Sequence, residues 1–475
     1  MNESYDGIVV GAGPNGLAAA IRLAQAGLSV LVVEANETLG GGTRSAELTL
    51  PGFIHDLCSA VHPMAAGSPF FRQLDLEKFG LAWIEPGLPL AHPLSAGQAV
   101  TLDRSVATTA RGLGGDGTAY ERLMHPLISD WEILATEFLQ PLLHWPDHPL
   151  KLARFGLRAM NSAVQLTSNW FQEERAKALF AGLAGHSFLP LETIPSAAFG
   201  LVLAMMGHAV GWPSARGGSQ QICNALASVL RSLGGELQVN WRVAKLDELP
   251  KARVVLLDIT PCQLLRIAGD HLPTAYAKRL SRFEYGPGIF KIDYALNGPI
   301  PWSAEACRRA GTVHVCGRFE EVALAEREVN EGRHPERPFV LLAQPSLFDS
   351  TRAPHGKQVA WAYCHVPNGS SVDMTRPMED QIERFATGFR ERVLARHTSN
   401  CPAIESKNAN LVGGSINGGA VGLWQMLARP ILSPAPYRVP RQGLYLCSSS
   451  TPPGGGVHGM CGFHAAEVAL RDWFS

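Results

Sequence analysis

The pattern of apolar and polar positions predicts strand, helix and strand at the start of the chain. A run of apolar residues at 7–10 predicts a buried strand, and a glycine-rich turn at 11–16 follows it. The stretch at 17–26 has the composition of a helix, and a second apolar run at 29–33 predicts the next strand. Glu34 comes directly after that run. This order is typical of a βαβ unit in a parallel sheet.

The glycine turn has a spacing that suits a dinucleotide. Gly11 permits the tight turn, Gly13 leaves room for a pyrophosphate against bare backbone, and Gly16 lets the helix pack on the strand. A helix N-terminus offers free N–H groups and partial positive charge to phosphates. Glu34 stands where a carboxylate accepts hydrogen bonds from ribose hydroxyls. Together these residues indicate a dinucleotide-binding site.

A second stretch, 112–117, has the same glycine spacing without the same surroundings. The residues before it, 105–111, do not form an apolar run, and no strand ending in an acid follows. Thr118 and Glu121 have the spacing of a capping box. The sequence therefore predicts a turn and a helix cap here, and no second nucleotide site.

Further elements are predicted along the chain. A helix is expected at 220–233, strands of the nucleotide-binding domain at 236–239 and 254–258, and strands of a mixed or antiparallel sheet at 289–296, 339–344 and 358–366. The first part of the intervening sequence, 76–211, is rich in apolar and aromatic residues and is expected to be helical.

The most hydrophobic stretch runs from 197 to 212, between Pro195 and Pro213. It is too short and too interrupted for a membrane span, which needs about 20 apolar residues. Two hypotheses remain for it: a buried helix that walls a cavity, or a surface that dips into a bilayer to collect a lipidic substrate. His208 within it is interpreted as a hydrogen-bonded core histidine.

Composition excludes several classes of protein. The formal net charge of −1 offers no excess of cations for nucleic acid. The 16 histidines do not form a metal motif, so no metal is expected. The nine cysteines lack a C-x-x-C pair, which favours reduced thiols in the cytoplasm and argues against a disulfide reductase. The N-terminus has no basic region of a secretory signal.

Two further glycine-rich loops extend the pattern. One lies at 39–44, directly after the ribose acid, and the other at 454–462, followed by an apolar helix at 463–473. With the N-terminal motif, these loops resemble the flavoprotein superfamily of phytoene desaturases and amine oxidases. The closest resemblance is to the phytoene-dehydrogenase-like FAD-dependent oxidoreductases, which include the pyridine nucleotide-disulfide oxidoreductase domain 2 proteins. It covers nearly the whole chain and is carried also by the stretches 290–302, 361–367 and 413–420.

The resemblance implies an α/β fold in which a Rossmann-like FAD-binding domain is interleaved with an α+β substrate domain. We expect the FAD-binding domain at 1–75, 212–270 and 430–475, and the substrate domain at 76–211 and 271–429. The resemblance implies that Glu34 contacts the adenosine ribose, that the backbone of Val243 contacts adenine, and that Gly13, Pro14 and Asn15 contact the pyrophosphate within the turn that Gly11 and Gly16 shape. It puts Gly41, Gly42 and Arg44 near the phosphates or flavin. It puts Gly455, Gly456 and Val457 along the pyrimidine edge of the flavin.

The implied activity is dehydrogenation, or desaturation, of a largely apolar substrate by hydride transfer to flavin N5. Such chemistry resides in the cofactor, and the protein must position the substrate and exclude water. His458 is the candidate for polar assistance, with a structural hydrogen bond as the alternative. Trp424 is the candidate for the substrate wall, with core packing as the alternative.

Three other functions stay open on the same fold. They are a flavin amine oxidase, a retinol-saturase-like reductase, and a non-enzymatic Rab-escort-like binding protein, in which the nucleotide motif is expected to be eroded. No second nicotinamide motif is present, which favours oxygen or a quinone as electron acceptor. The expected partners are an apolar small molecule and no nucleic acid, for a cytoplasmic protein. Peripheral contact with a membrane stays open as the second hypothesis for 197–212.

Overall fold

The computed structural model describes residues 3–95, 97–141 and 144–475. Its strands are, in chain order, β1 (Ser4–Val10), β2 (Val30–Val33), β3 (Ser45–Glu47), β4 (Ile54–Asp56), β5 (Trp83–Ile84), β6 (Leu88–Ser95), β7 (Gln98–Leu102), β8 (Ser214–Ala215), β9 (Glu236–Gln238), β10 (Lys251–Leu257), β11 (Gly288–Leu296), β12 (Ala310–Val315), β13 (Val340–Ala343), β14 (Gln358–Val366), β15 (Val393–Ser399) and β16 (Leu444–Leu446).

The α-helices of the same residues are, in chain order, α1 (Pro14–Gln25), α2 (Pro63–Ala66), α3 (Pro69–Gln73), α4 (Val106–Gly112), α5 (Gly117–Ser129), α6 (Trp131–Phe138), α7 (Pro149–Ala159), α8 (Ala163–Trp170), α9 (Glu174–Gly185), α10 (Ser196–Ala209), α11 (Gln220–Ser232), α12 (Pro261–Ala268), α13 (Thr274–Leu280), α14 (Glu305–Arg309), α15 (Phe319–Asn330), α16 (Thr375–Glu383), α17 (Phe389–Arg392), α18 (Cys401–Lys407), α19 (Leu423–Leu427) and α20 (Met460–Trp473).

A five-stranded parallel sheet forms the Rossmann-like part of the molecule. Its strand order is β16-β10-β1-β2-β9, and each neighbouring pair is parallel. Val10 at the end of β1 pairs with Val33 of β2 on one side and Leu257 of β10 on the other. The carboxyl ends of these three strands therefore meet at one edge, the place where parallel α/β sheets bind ligands. The α/β fold expected from the sequence is confirmed.

Helices α1, α11 and α20 cover this sheet with small and branched apolar side chains. Leu17, Ile21 and Leu230 are fully buried in the same core as Ala465 and Val32 of the sheet. Helices α1 and α20 pack against each other directly, and both begin near the carboxyl edge of the sheet. Burial of this core holds two helix N-termini close to the same place.

A seven-stranded sheet forms the second layer, in the order β15-β11-β14-β13-β12-β6-β7. All of its pairs are antiparallel except β12 with β6. The strands predicted at 289–296, 339–344 and 358–366 are confirmed as β11, β13 and β14. The expectation that 76–211 is helical was wrong in part, because β6 and β7 form a hairpin that joins this sheet.

Helices α4 to α10 pack in a layer with their own apolar core. Helix α10 lies within the predicted hydrophobic stretch and packs against α5, α7, α8 and α9. Its His208 is buried and its Nε2 shares a hydrogen bond of 2.7 Å with the Tyr120 hydroxyl. These contacts favour the buried-helix hypothesis for this stretch. Within the described residues, every helix is too short or too polar to cross a membrane.

The second glycine stretch is not a nucleotide-binding turn. Helix α4, not a strand, precedes it, and α5 begins at Gly117. The predicted capping box is also wrong, because Thr118 lies inside α5 and no side chain caps that helix. The buried Asp116 carboxylate instead accepts the backbone N–H groups of Gln172 and Glu173.

Candidate cofactor and substrate site

The first glycine turn presents bare backbone at the carboxyl edge of the parallel sheet. Gly11 has a φ of +103°, which glycine adopts without strain, and α1 begins at Pro14. The N–H groups of Gly13 and Asn15 have no hydrogen-bond partner among the described residues. The Asn15 side-chain oxygen is likewise buried and unpaired in that part of the chain. Unpaired donors at a helix N-terminus suit an anion such as a pyrophosphate.

Glu34 is buried and directs its carboxylate back toward the turn. Its Oε2 accepts the N–H of Ala12 at 2.9 Å, and its Oε1 accepts the backbone and side-chain N–H groups of Asn36 at 2.9 and 2.7 Å. Oε1 thus accepts two hydrogen bonds, and Oε2 keeps a further lone pair for a hydroxyl donor. Glu34 lines the cavity described below, in agreement with a ribose contact.

Asp258 is a site residue that the sequence reasoning missed. It follows β10, and its Oδ2 accepts the N–H of Gly16 at 3.0 Å. A Cβ on Gly13 would lie 2.9 Å from this oxygen, so only bare backbone fits beside it. Burial raises the pKa of Asp258 to about 7, and the charge of Glu34 adds to the rise. Its position after a strand of the parallel sheet was the signal available in the sequence.

The second glycine loop touches the first by its backbone. A Cβ on Gly41 would lie 3.1 Å from the Cα of Gly13. Gly41 and Gly42 line the cavity, whereas Arg44 does not. The buried Arg44 guanidinium donates to the carbonyls of Gly41 and Lys407. Arg44 therefore stabilises the loop through these hydrogen bonds and does not face the cavity. The resemblance had implied a position near the phosphates or flavin.

The C-terminal loop brings Gly456 and Val457 to the cavity. The N–H of Val457 has no partner within the described residues. Gly455 lies behind them against the backbone of Asn417, where a Cβ would approach the Asn417 oxygen to 2.9 Å. Of the three residues expected along the flavin, two therefore face the cavity and Gly455 does not.

His458 does not face the cavity either. It is fully buried, and its Nδ1 accepts the N–H of Met460 at 3.0 Å, at the start of α20. Burial lowers the pKa of His458 to about 4, so the ring is neutral at physiological pH. The structure contradicts a catalytic role for His458 and agrees with the structural hydrogen bond that was its alternative.

The end of the cavity that was expected to hold adenine lies after β9. The N–H of Trp241 donates to the Glu34 carbonyl at 2.8 Å, which holds this segment beside the ribose acid. Val243 is buried and lines the cavity, and its N–H has no partner among the residues described. This free donor matches the expected backbone contact to adenine.

A cavity of about 410 Å³ joins these cofactor residues to an apolar end. The residues that line the apolar end are Met64, Leu203, Trp212, Leu341, Ala343, Trp361, Tyr363 and Ile416. Helix α10, β13 and β14 carry five of them, so both the helical layer and the seven-stranded sheet close the cavity. Trp424 is 70% exposed and is not part of this wall, which corrects its assignment to the substrate site.

His186 brings an imidazole to the apolar end, at the end of α9. Its Nε2 shares a hydrogen bond of 2.9 Å with the Nε2 of the buried His314 on β12. The Nδ1 of His186 has no partner in the described part of the chain. Burial lowers the pKa of His186 to about 3, with a smaller contribution from the charge of His365. The ring therefore rests in its neutral form, which can accept a proton. No sequence motif marked it.

Two ion pairs are buried in this part of the molecule, and one of them lies on the same face of the sheet as Trp361 and Tyr363. Lys291 pairs with Asp293 on β11, and its ammonium lies 5.8 Å from the centre of the Trp361 ring. Arg352 pairs with Asp56 at 2.8 Å. The attraction of the Lys291 charge for the ring face helps fix Trp361 beside the cavity.

Thiol and metal chemistry find no support within the residues described. The nine cysteines are free, and no group of three or more His, Cys, Asp or Glu side chains is placed to hold a metal ion. Cys461, beside the C-terminal loop, is buried, and burial raises the pKa of its thiol to about 12. A thiol held in its protonated form is a poor nucleophile.

Comparison with known proteins agrees with this arrangement. The NAD(P)-binding Rossmann-like domain family matches residues 9–74. The rat protein named pyridine nucleotide-disulfide oxidoreductase domain-containing protein 2 is 26% identical over 99% of this chain and 94% of its own length. The mouse protein of the same name is 27% identical, with the same shares covered. A 4,4'-diapophytoene desaturase of Staphylococcus aureus is 22% identical, with 94% of this chain and 95% of its own length covered.

Solved structures share the fold at lower identity. An oxidoreductase from Methanosarcina mazei has a TM-score of 0.64 at 16% identity, covering 98% of this chain and 99% of its own. Putrescine oxidase bound to putrescine has a TM-score of 0.62 at 18% identity, with 99% and 98% covered. A Rab GDI from Plasmodium falciparum has a TM-score of 0.53 at 12% identity, with 84% and 89% covered. With the intact glycine turns and Glu34, the similarity to the desaturase and oxidase relatives supports a flavin-dependent oxidoreductase that resembles the phytoene desaturases.

Proposed function

We propose that this flavoprotein binds FAD and dehydrogenates a largely apolar substrate, converting a CH–CH unit into C=C. The observation that carries the proposal is the continuity of the cavity. One end is lined by bare glycine backbone and Glu34, and the other by tryptophan, leucine and methionine side chains. FAD, when bound, supplies the hydride acceptor at N5.

The residues of the cofactor end fit FAD by their unpaired donors and acceptors. The free N–H groups of Gly13 and Asn15 would hold the pyrophosphate, and the Glu34 carboxylate would accept the ribose hydroxyls. The free N–H of Val243 would meet adenine, and that of Val457 the pyrimidine edge of the flavin. The absence of side chains on Gly41 and Gly456 lets a flat or charged group approach closely.

The apolar end supports an apolar substrate because it offers little to a charged one. Leu203, Leu341 and Ile416 line it with apolar surface, which favours a hydrocarbon over water there. The rings of Trp361 and Tyr363 stand edge to face, with centres 5.0 Å apart. They give a hydrocarbon chain broad contact area.

Desaturation removes a hydride and a proton, so a group must accept the proton. Nδ1 of His186 is the candidate acceptor, because the neutral ring lines the apolar end and its Nε2 is already bonded to His314. The low pKa of His186 means that the ring cannot hold the proton for long. The proton must pass on to solvent, because burial also holds the pKa of His314, the hydrogen-bond partner of Nε2, well below its usual range.

The first experiment is the visible absorption spectrum of the purified chain, with heat release and identification of any chromophore. Released FAD is the expected result. A colourless protein that also fails to take up added FAD would overturn the proposal and favour a non-enzymatic binding protein on the same fold.

The second experiment tests the substrate class with the FAD-loaded protein under anaerobic conditions. A polyene with saturated CH–CH units, such as 4,4'-diapophytoene in detergent micelles, is expected to bleach the flavin, with a new conjugated product. The edge-to-face pair of Trp361 and Tyr363 also suits a flavin amine oxidase, so putrescine and cyclohexylamine are the comparison probes. Bleaching by an amine alone would replace the desaturase proposal. Reoxidation by oxygen or a soluble quinone, followed in the same cuvette, would identify the acceptor.

The reverse reaction, reduction of a polyene, is tested in a separate experiment. A retinol-saturase-like reductase would start from the reduced flavin and a conjugated polyene. Photoreduced protein that regains its yellow colour on addition of such a polyene, with loss of the polyene's absorbance, would set the direction as reduction. Stable reduced flavin is the result we expect.

A further inference from the structure

The segment at 145–160 exposes four large apolar side chains to solvent. Trp145 is 92% exposed, Leu150 86% and Leu157 81%, and Met160 is also exposed. Isolated exposed leucines are ordinary, but four large apolar side chains within one short segment form a patch. Such patches mark contact with another molecule or with a lipid surface.

Helix α7 carries two of these side chains, Leu150 and Leu157, on its outward face. Leu150 and Leu157 are seven residues apart and so lie on the same side of the helix, with Arg154 between them. Phe155 and Ala159 are buried on the opposite side. An ordinary surface helix has an apolar inward face and a polar outward face. Helix α7 is apolar on both faces.

The charged residues of α7 are all cations. Lys151, Arg154 and Arg158 lie within it, and it contains no acid. Lys151 pairs with Asp130 at 2.8 Å, and the Arg158 guanidinium lies 5.6 Å from the centre of the Trp170 ring. Arg154 is exposed within the apolar face. On α7 the exposed apolar side chains are flanked by cations, which matches the interfacial layer of a bilayer that contains anionic lipid; the one exposed acid of the segment, Asp147, lies between Trp145 and the helix.

Helix α7 also connects this patch to the cavity. It packs against α10, and Leu203 of α10 lines the apolar end of the cavity. Phe155 of α7 belongs to the same core cluster as Leu201 and Met205 of α10. One helix layer therefore separates the exposed patch from the cavity wall.

We propose that Trp145 and α7 insert into the interfacial layer of an anionic lipid bilayer, and that the protein works as a peripheral membrane protein. The benefit of membrane insertion to the protein rests on the proposed function, because an apolar substrate dissolves in the bilayer and not in water. The contact itself does not depend on that function. It also moves the membrane contact expected from the sequence away from 197–212, whose helix α10 is largely buried.

The test is co-sedimentation of the FAD-loaded full chain with vesicles. Vesicles of phosphatidylcholine and phosphatidylglycerol in equal amounts are compared with vesicles of phosphatidylcholine alone. We expect binding to the mixed vesicles that weakens with added salt, since anionic lipid attracts Arg154 and its neighbours. Replacing Leu150 and Leu157 by serine should weaken the partition by about tenfold for each leucine. The matched control is Leu324→Ser, which removes a leucine 49% exposed on α15 and should leave binding unchanged.

Insertion of Trp145 is measured separately, by fluorescence quenching with lipids brominated along the acyl chain. Wild-type fluorescence should fall on binding to brominated vesicles, and Trp145→Phe should lose that quenching while it still sediments. An interfacial helix buries its apolar face about 5–10 Å deep, within reach of bromine near the top of the chain. The visible spectrum and far-ultraviolet circular dichroism of each variant check that it is folded and loaded.

Three results would overturn the proposal. They are failure of the wild type to bind mixed vesicles, equal binding by the serine double variant, and a wild-type dimer in light scattering that the double variant dissolves. The last would identify a second copy of the chain as the occupant of the patch. Vesicle binding needs no turnover. A flavin that no polyene reduces therefore counts against the proposed function alone.

Discussion

At the scale of single residues, Asp258 is a buried acid whose charged form is disfavoured at the glycine turn. Its carboxyl is buried against Gly16, in the place where a pyrophosphate is expected, and burial raises its pKa to about 7 from 3.8. The folded protein thus binds this proton more tightly than the unfolded chain. Stability from this group is fully present below about pH 4 and is lost as the pH rises through about 7.

Asp258→Asn should therefore stabilise the protein in alkaline conditions. The amide oxygen can still accept the Gly16 N–H, and no charge is left beside Glu34. We expect a gain of about 1–2 kcal/mol at pH 8 and little change at pH 4. Thermal unfolding at both pH values measures it. A variant less stable than the wild type at pH 8 would show that the ionised carboxylate is favourable there.

His186 is the residue through which the proposed chemistry can be tested. His186→Ala should slow single-turnover bleaching of the flavin by a polyene about a hundredfold, the usual contribution of a positioned proton acceptor. The control is His208→Gln, which replaces another buried imidazole and can keep the hydrogen bond to Tyr120. Both variants should retain the wild-type FAD content. An unchanged bleaching rate in His186→Ala would remove the ring from the mechanism.

At the scale of elements, the first glycine turn decides whether α1 can pack on β1. A Cβ on Gly16 would lie 2.0 Å from the Gly11 carbonyl oxygen, and neither backbone can move without breaking the turn. Gly16→Ala should therefore cost about 3 kcal/mol or more and abolish FAD binding. Gly112→Ala, in the second glycine stretch, meets nothing within 4 Å and should be neutral or slightly stabilising. Unfolding midpoints and FAD per chain report both, and equal behaviour of the two variants would contradict the assignment of the motif.

The same scale shows what the sequence could predict and why. The unit from β1 to Glu34 is local, since turn, helix and strand follow one another, so spacing alone located the cofactor end. The sequence could not show that the hairpin of β6 and β7 joins the seven-stranded sheet. Its partner strand β12 is more than 200 residues away, and the pairing depends on tertiary contacts. His458 was chosen as the polar candidate and His186 was missed for a similar reason. Whether an imidazole faces the cavity depends on how elements that are distant in sequence, such as α9 and β12, pack together.

At the scale of the whole molecule, the cavity joins parts of the chain that are far apart in sequence. Glycine turns from both ends of the chain meet at the carboxyl edge of the parallel sheet, and β12, β13 and β14 of the other sheet close the apolar end. A ligand that spans the cofactor end should therefore bind the folded chain and not the unfolded one. Ligand binding of this kind raises stability by mass action.

Added FAD should raise the unfolding midpoint of the FAD-stripped protein in a concentration-dependent way. The expected gain is about 2.7 kcal/mol when free FAD is one hundred times its dissociation constant. Differential scanning calorimetry across an FAD series measures it, and riboflavin, which lacks the pyrophosphate and adenosine, is the control that should shift the midpoint far less. Glu34→Gln should need at least about tenfold more FAD for the same shift, because an amide offers one acceptor oxygen where the carboxylate offers two. An unfolding midpoint that FAD does not change would mean that the fold binds another ligand. The function would then be sought among the binding proteins that share this fold.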